Sequence, residues 1–414
     1  MSEQVFGVDQ ALIDRYADLI IEKGINLKAK KNVMILTGSG TYYFARALAK
    51  SAYRHQATYV QILVDDLDVL ATRLEHQETE QLEFSPDFIK AMDYEFIAHQ
   101  WSYIRVDNTE DRLDHPPLDG EKNQILSAAK RRFSEARSSY LMRHELPWCV
   151  CVAPGPRWAE QVLGEGASTS DLMEVLKPIL LLDQADPAAA WDAKGEMLNG
   201  RQEHLNSLNL EYLHFSSPRT DLKVYLNPTS RFVGGAEDLP DGRPFFANLP
   251  TEEIFTTPDW RRTEGYVTTT RPVSVLNTPT EEVRLTFKEG KVVDYSAKEG
   301  KEVLDRFFAI DEGTRSIGEL ALVDETSPIA QSGLIFHSIL IDENASCHIA
   351  LGEGYPIALK GGNLISGEEN LRAAGCNTSL MHTDFMIGSS DMQITGYSFT
   401  GEKVELMRDG VFLF

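Results

Sequence analysis

Cysteine is scarce in this chain, with only Cys149, Cys151, Cys347 and Cys376 among 414 residues. So few, so dispersed, do not make a disulfide framework, and free thiols are the expectation. Basic residues are also in short supply: 40 Lys and Arg face 63 Asp and Glu, a formal charge of −23. A surface of that sign repels phosphate backbones and anionic headgroups, which argues against nucleic acid and lipid surfaces as partners. Its ordinary consequence is solubility. Long apolar runs are missing too. A membrane-spanning helix needs about 18 or more consecutive apolar residues, whereas stretches such as PILLLDQ (178–184) are broken at once. The opening MSEQVFGVDQALIDRYADLII has neither the basic start nor the uninterrupted apolar segment of a secretory signal, so a cytoplasmic location is expected.

Several chemical signatures are absent as well. Gly38-Ser39-Gly40 follows an apolar strand-like run, but neither the third glycine of a dinucleotide fingerprint nor the Gly-Lys-Ser/Thr of a P-loop comes after it. A plain strand-to-helix turn is the expectation there. No Cys-rich zinc motif occurs, and neither does the His-Glu-x-x-His helix of single-zinc proteases. His55, His76, His99, His115 and His144 are scattered, as packing or surface residues are.

What is present is an ordinary globular balance, 42% hydrophobic and 25% charged, in a chain long enough for two domains. The first half alternates. Helical spacing over 8–23 leads to an apolar strand at 32–36, helix 42–55 to strand 57–64, and helix 121–137 to strand 148–153, with a further strand at 102–106. That alternation predicts a mostly parallel sheet covered by helices. After the helical stretches 171–182 and 187–206, short alternating strands take over at 211–215, 222–226, 267–270 and 283–287. Lys288-Glu-Gly-Lys291 reads as a hairpin turn, and 303–310 as one inserted helix. The expected architecture is an N-terminal α/β domain over 1–212 and a β-rich α+β domain over 213–414.

Four segments of the second half carry chemistry. In NLPTEEIF (248–255) the adjacent Glu252 and Glu253 face opposite ways if the chain is extended, so only one can face a site. In GELALV (318–323), Glu319 lies among small and apolar residues, where an ionised carboxylate is costly unless paired or bound to a cation. The run DENASCHIALGEGY (342–355) sets His348 in an apolar strand and ends in a glycine-rich turn that presents Tyr355. In MHTDFMIG (381–388), His382 and Asp384 share one face of a strand and can offer two ligands to one site.

Singly, each has an ordinary reading: a salt-bridge carboxylate, a hydrogen-bonded core histidine, a surface pair. Together, carboxylates and imidazoles in apolar surroundings suit one or two divalent ions of the zinc, cobalt or manganese type. Two other classes use similar residues. A two-metal phosphoesterase would need Lys or Arg near the ligands, and only Arg261 and Arg262 cluster there; a nonenzymatic peptide- or metal-binding protein is the other.

These segments, in this order and spacing, closely resemble the aminopeptidase T and aminopeptidase S family of bacterial metallopeptidases, and the resemblance extends over essentially the whole chain. It implies a cytoplasmic, homodimeric exopeptidase that acts on peptides with a free N-terminus and holds two divalent ions. By position, the family's ligands fall on Glu253, Glu319, His348, Tyr355, His382 and Asp384, with Glu343 either a further ligand or a catalytic carboxylate. Residue chemistry adds roles. Glu319 is expected to bridge the ions, Glu343 to move a proton from water to the leaving amine, and Tyr355 to ligate or to donate to the oxyanion.

Overall fold

A computed structural model describes residues 4–5, 7–115, 120–276 and 278–414. The chain separates into two compact units, Met1–Ala193 with Ala236–Pro250, and Lys194–Gly235 with Thr251–Phe414. Residues 194–212 and 236–250 thus lie on the other side of a single cut at residue 212. Helical periodicity runs unbroken from 187 to 207, so the sequence offers no mark where the contacts change hands.

The first unit begins with α1 (Gln10–Leu19), capped by the Asp9 carboxylate, which accepts from the amide of Ala11. There follow β1 (Asn32–Thr37), α2 (Tyr42–Arg54), β2 (Tyr59–Val64), β3 (Ser102–Val106), α3 (Gly120–Met142) and β4 (Trp148–Cys151). The sheet order is Asn248–Leu249, β4, β3, β1, β2, and every neighbouring pair is parallel. The expected mostly parallel sheet is therefore present. The winding direction reverses between β1 and β3, and the crevice at the carboxyl ends of such strands is where open α/β sheets commonly bind anions.

Here the chain fills that crevice itself. Asp111 Oδ1 accepts from the Gly40 amide at 2.8 Å and from Ser39 Oγ at 2.9 Å. Glu110 accepts from the amides of Arg157 and Trp158, at 3.1 and 2.8 Å, where the helix Pro156–Leu163 begins. Any side chain at Gly38 would collide with the Asp111 carboxylate, which is why glycine stands there. Internal carboxylates satisfy the amides that a phosphate would need, so Gly38-Ser39-Gly40 is a structural turn.

The second unit takes in the later part of α4 (Pro187–Ser207), then β5 (Leu210–Ser217), β6 (Thr220–Tyr225), β7 (Glu253–Thr256), β8 (Glu264–Thr268), β9 (Arg284–Lys288) and β10 (Lys291–Ser296). After α5 (Lys301–Phe307) come β11 (Ile317–Val323), β12 (His348–Gly352), β13 (His382–Met386), β14 (Gln393–Ser398), β15 (Lys403–Arg408) and β16 (Val411–Phe412). An eight-stranded antiparallel sheet runs β10-β9-β8-β6-β5-β14-β15-β16. Its β9–β10 hairpin turns on Glu289 and Gly290, both at positive φ, the backbone that a two-residue loop requires. A second antiparallel sheet, β7-β11-β12-β13, carries the residues of interest.

Candidate metal centre

The register of the four-stranded sheet decides which side chains meet. Glu253 pairs with Val323, Ala321 with both Phe255 and His348, Glu319 with Ala350, Ala350 with Asp384, and Gly352 with His382. Since strand side chains alternate faces, Glu253, Glu319, His348, His382 and Asp384 share one face. Ile254, Leu320, Leu322, Ile349, Leu351 and Phe385 occupy the other, and all six belong to one hydrophobic cluster. Each such side chain contributes about 1.5–3 kcal/mol on full burial. The apolar face fixes the register, and the register aligns the polar face.

β11 needs one adjustment. Ile317 and Glu319 would share a face in a regular strand, yet Ile317 pairs with Leu351 in the core while Glu319 looks the other way. A bulge at Gly318 makes the difference. The backbone approaches so closely there that a side chain would run into the carbonyl oxygens of Gly352 and Glu353.

On the polar face the groups converge. His348 Nε2 lies 3.3 Å from Glu253 Oε2 and 3.9 Å from Glu319 Oε1, while His382 Nε2 lies 3.3 Å from Glu319 Oε2 and 3.3 Å from Asp384 Oδ1. Glu319 thus offers one oxygen to each of two triads, Glu253–Glu319–His348 and Glu319–His382–Asp384, the donor atoms of each lying within 4.8 Å of one another. The Nδ1 atoms point the opposite way, His348 towards the Ser346 carbonyl at 3.1 Å and His382 towards that of Glu353 at 2.8 Å. With the proton on Nδ1, each Nε2 keeps a lone pair for a metal.

Charge and burial test whether ions fit. Glu253 Oε2 is buried without a hydrogen-bond partner, and among the described residues no Lys or Arg forms an ion pair with Glu253, Glu319 or Asp384. Burial pushes the Glu253 carboxyl up to about 7, with His348 opposing and Glu319 and Asp384 adding to it. Burial lowers the affinity of His348 and His382 for protons, but surrounding anions outweigh it and hold both above their ordinary value. Burial would raise Asp384, yet the His382 imidazole holds it below its ordinary value. Excess buried negative charge drawing in protons is the environment that divalent cations relieve.

Glu343 and Tyr355 border this face. Glu343 stands on a single turn, Glu343–Ala345, and its carboxyl is held well above the ordinary range by burial and by Glu253, Asp384 and Glu319. The Tyr355 ring packs 5.5 Å from Phe255 and 5.0 Å from His382 between centroids. Of the adjacent pair, Glu253 faces His348, while Glu252 turns away to Lys194, 2.6 Å from its Nζ. All seven residues singled out from sequence therefore lie in or beside one cluster.

Sequence reasoning missed the residues that hold them. Asn377 Nδ2 donates to the carbonyls of Gly313, Ser316 and Gly352, at 2.8, 3.3 and 2.6 Å, fixing the turn that leads to Tyr355. Asn344 Oδ1 accepts from the amide of Glu252 at 2.6 Å. Both asparagines are fully buried, but long-range amide contacts leave no local pattern.

Arg261 and Arg262 are committed elsewhere, Arg261 to Asp259 through two bonds of 2.7 and 2.8 Å, and Arg262 to Glu211 at 2.7 Å with its guanidinium over the Tyr225 ring. That argues against a phosphate clamp. Among the described residues, none of the five scattered histidines joins a metal-type cluster.

Residues 9–412 match the model of the thermophilic metalloprotease (M29) family. The chain is 34% identical to aminopeptidase T of Thermus thermophilus over 404 residues, 96% of this chain and 97% of that protein. It is 32% identical to aminopeptidase PepS of Streptococcus thermophilus over 406 residues, again 96% and 97% of the two. Among solved structures, wild-type AmpT from Thermus thermophilus superposes with a TM-score of 0.89 at 32% identity, covering 98% of this chain and 100% of that one.

Proposed function

The chain belongs to the thermophilic metalloprotease (M29) family and is a metal-dependent aminopeptidase acting on peptides; we propose that it works with two divalent ions, zinc, cobalt or manganese. Glu253 and His348 would hold one and His382 and Asp384 the other, with Glu319 common to both groups. The observation that carries this reading is the shared carboxylate, whose two oxygens face different imidazoles at 3.9 and 3.3 Å.

Bound there, a pair of ions would acidify a shared water and polarise the first peptide carbonyl. The chain's own residues do the rest. Nδ1 bonds to backbone carbonyls hold the two imidazoles in place. Glu343 takes a proton from the attacking water and returns it to the leaving amine, a task suited to a carboxyl that burial and neighbouring anions hold above its ordinary value. Tyr355 directs its hydroxyl to the developing oxyanion or adds a ligand. Two further parts of this reading rest on the likeness to aminopeptidases T and S: a cytoplasmic location and a homodimer. No helix of the described residues is long and apolar enough to cross a membrane.

The test is one assay. After chelation and readdition of zinc, cobalt or manganese, hydrolysis is measured on free and N-acetylated peptides and on a phosphodiester. Metal-restored cleavage of the free peptide alone is expected; cleavage of the acetylated peptide, or of the phosphodiester alone, overturns the reading.

A further inference from the structure

Helix α4 carries Lys194 and Arg201 seven residues apart, two turns along one face. Lys194 Nζ lies 2.6 Å from Glu252 Oε2, and Arg201 Nη2 lies 3.1 Å from Asp324 Oδ2. Both carboxylates are buried, at 4% and 5% exposure. They flank the paired residues Glu253 and Val323, one before the first strand and one after the second, so the two cations grip the same end of the β7–β11 ladder.

The main chain is gripped there as well. The Glu252 amide donates to Asn344 Oδ1 at 2.6 Å, and Asn344 Nδ2 donates to the Leu340 carbonyl at 2.9 Å. The Glu253 side chain itself faces His348 at 3.3 Å, with its buried Oε2 accepting no hydrogen bond. The restraint on Glu252 therefore adds to the strand register in fixing the direction of Glu253. In the second triad, His382 and Asp384 share β13, paired with β12 and away from the Glu252 and Asp324 end, and the Glu353 carbonyl holds His382.

We propose that Lys194 is a positioning residue for one metal site of the pair, the Glu253–Glu319–His348 triad, acting through Glu252 and not on the second triad. This rests on the two-ion reading given above. Without the ammonium, Glu252 is a buried carboxylate with its partner gone, and such a group moves towards water or a new partner. That movement shifts the strand at the residue before Glu253. The outer supports of metal ligands typically account for about 10- to 100-fold in affinity.

The experiment titrates full-length, metal-depleted protein with zinc alone by calorimetry. The unsubstituted chain is expected to take two ions. Lys194→Met should weaken one step by about 10- to 100-fold and leave the other in place, and Lys194→Arg should restore it. Lys194→Gln, which retains a donor beside Glu252 and guards against misfolding of the first variant, should show the same selective loss to a smaller degree. Equal weakening of both steps, or wild-type titrations with a change only in melting temperature, would overturn the proposal. A single step in the unsubstituted protein would overturn the two-ion reading and the proposal with it, and that failure is told apart because it appears without any change at Lys194.

Discussion

Glu353 turns its backbone carbonyl to His382: Nδ1 of the imidazole donates to it at 2.8 Å, so Nε2 is left facing Glu319 and Asp384. The Nδ1 side of this ring is thus held by main chain and not by another titratable group. His382→Gln removes the imidazole and leaves Glu253, Glu319 and His348 intact. On the proposed two-ion reading, metal content after dialysis, measured by mass spectrometry, should drop from two ions per chain to one. Retention of two would rule out a ligand role for His382.

Gly318 is a second point of leverage. An added methyl group would press on the carbonyls of Gly352 and Glu353, displacing Glu319 on one side and the acceptor of His382 on the other. A misplacement of about 1 Å costs about 100-fold in rate. Gly318→Ala should lower kcat/KM by at least that order while circular dichroism stays native. Wild-type kinetics would show that the bulge does not set the geometry.

For Glu343→Gln the expected result is full metal content with turnover lower by about 100- to 10,000-fold, the range of general acid–base catalysis. Wild-type turnover with intact metal content would remove the proton-transfer role. In Tyr355→Phe, unchanged metal content would leave the oxyanion as the only role for the hydroxyl.

Stability of the metal-free protein should fall with rising pH. Glu253 is pushed up to about 7 from an ordinary 4.5, and Asp342 up to about 6 from 3.8, chiefly by burial. A carboxyl raised on folding binds its proton more tightly in the folded state, so its contribution is greatest below the unfolded value and is lost as pH climbs to the folded one. His348 and His382, raised above 6.5, act in the same direction: their contribution is present below that value and disappears as pH passes the folded one. Melting temperature in chelator should decrease from pH 5 to 8, less steeply in Glu253→Gln, and metal should restore it. A flat or rising profile would contradict this.

In the first unit, Glu110→Ala strips the amides of Arg157 and Trp158 of a buried charged acceptor. Unfolding free energy should fall by about 2–3 kcal/mol, read by denaturant titration. Metal stoichiometry should not change; a loss of bound metal would contradict a purely structural role.

Much of this was legible in the sequence because it is local. His382 and Asp384 stand two apart, and a period of two puts them on one face without knowledge of any partner strand. The β9–β10 hairpin was legible for the same reason, from the turn at Glu289-Gly290. Helices Leu67–His76 and Asp87–Ala98 were not, since Val69, Phe88 and Tyr94 are exposed and blur the amphipathic pattern on which helix recognition depends. The contact between Lys194 and Glu252 spans 58 positions, and no periodicity reports it. Nor does composition reveal that Asp111 sits in the Gly38–Gly40 turn, because that depends on two strands ending side by side.

The alternation in β7, β12 and β13, and in β11 beyond its bulge, also constrains gene length. A substitution in these strands alters one side chain. Deleting or inserting a single codon within β12 or β13 would invert the rest of that strand, turning carboxylate or imidazole into the oily layer and Ile349, Leu351 or Phe385 out of it. Inside these strands the reading of the sheet is counted in pairs, and an odd change in length that no bulge absorbs is a change of face.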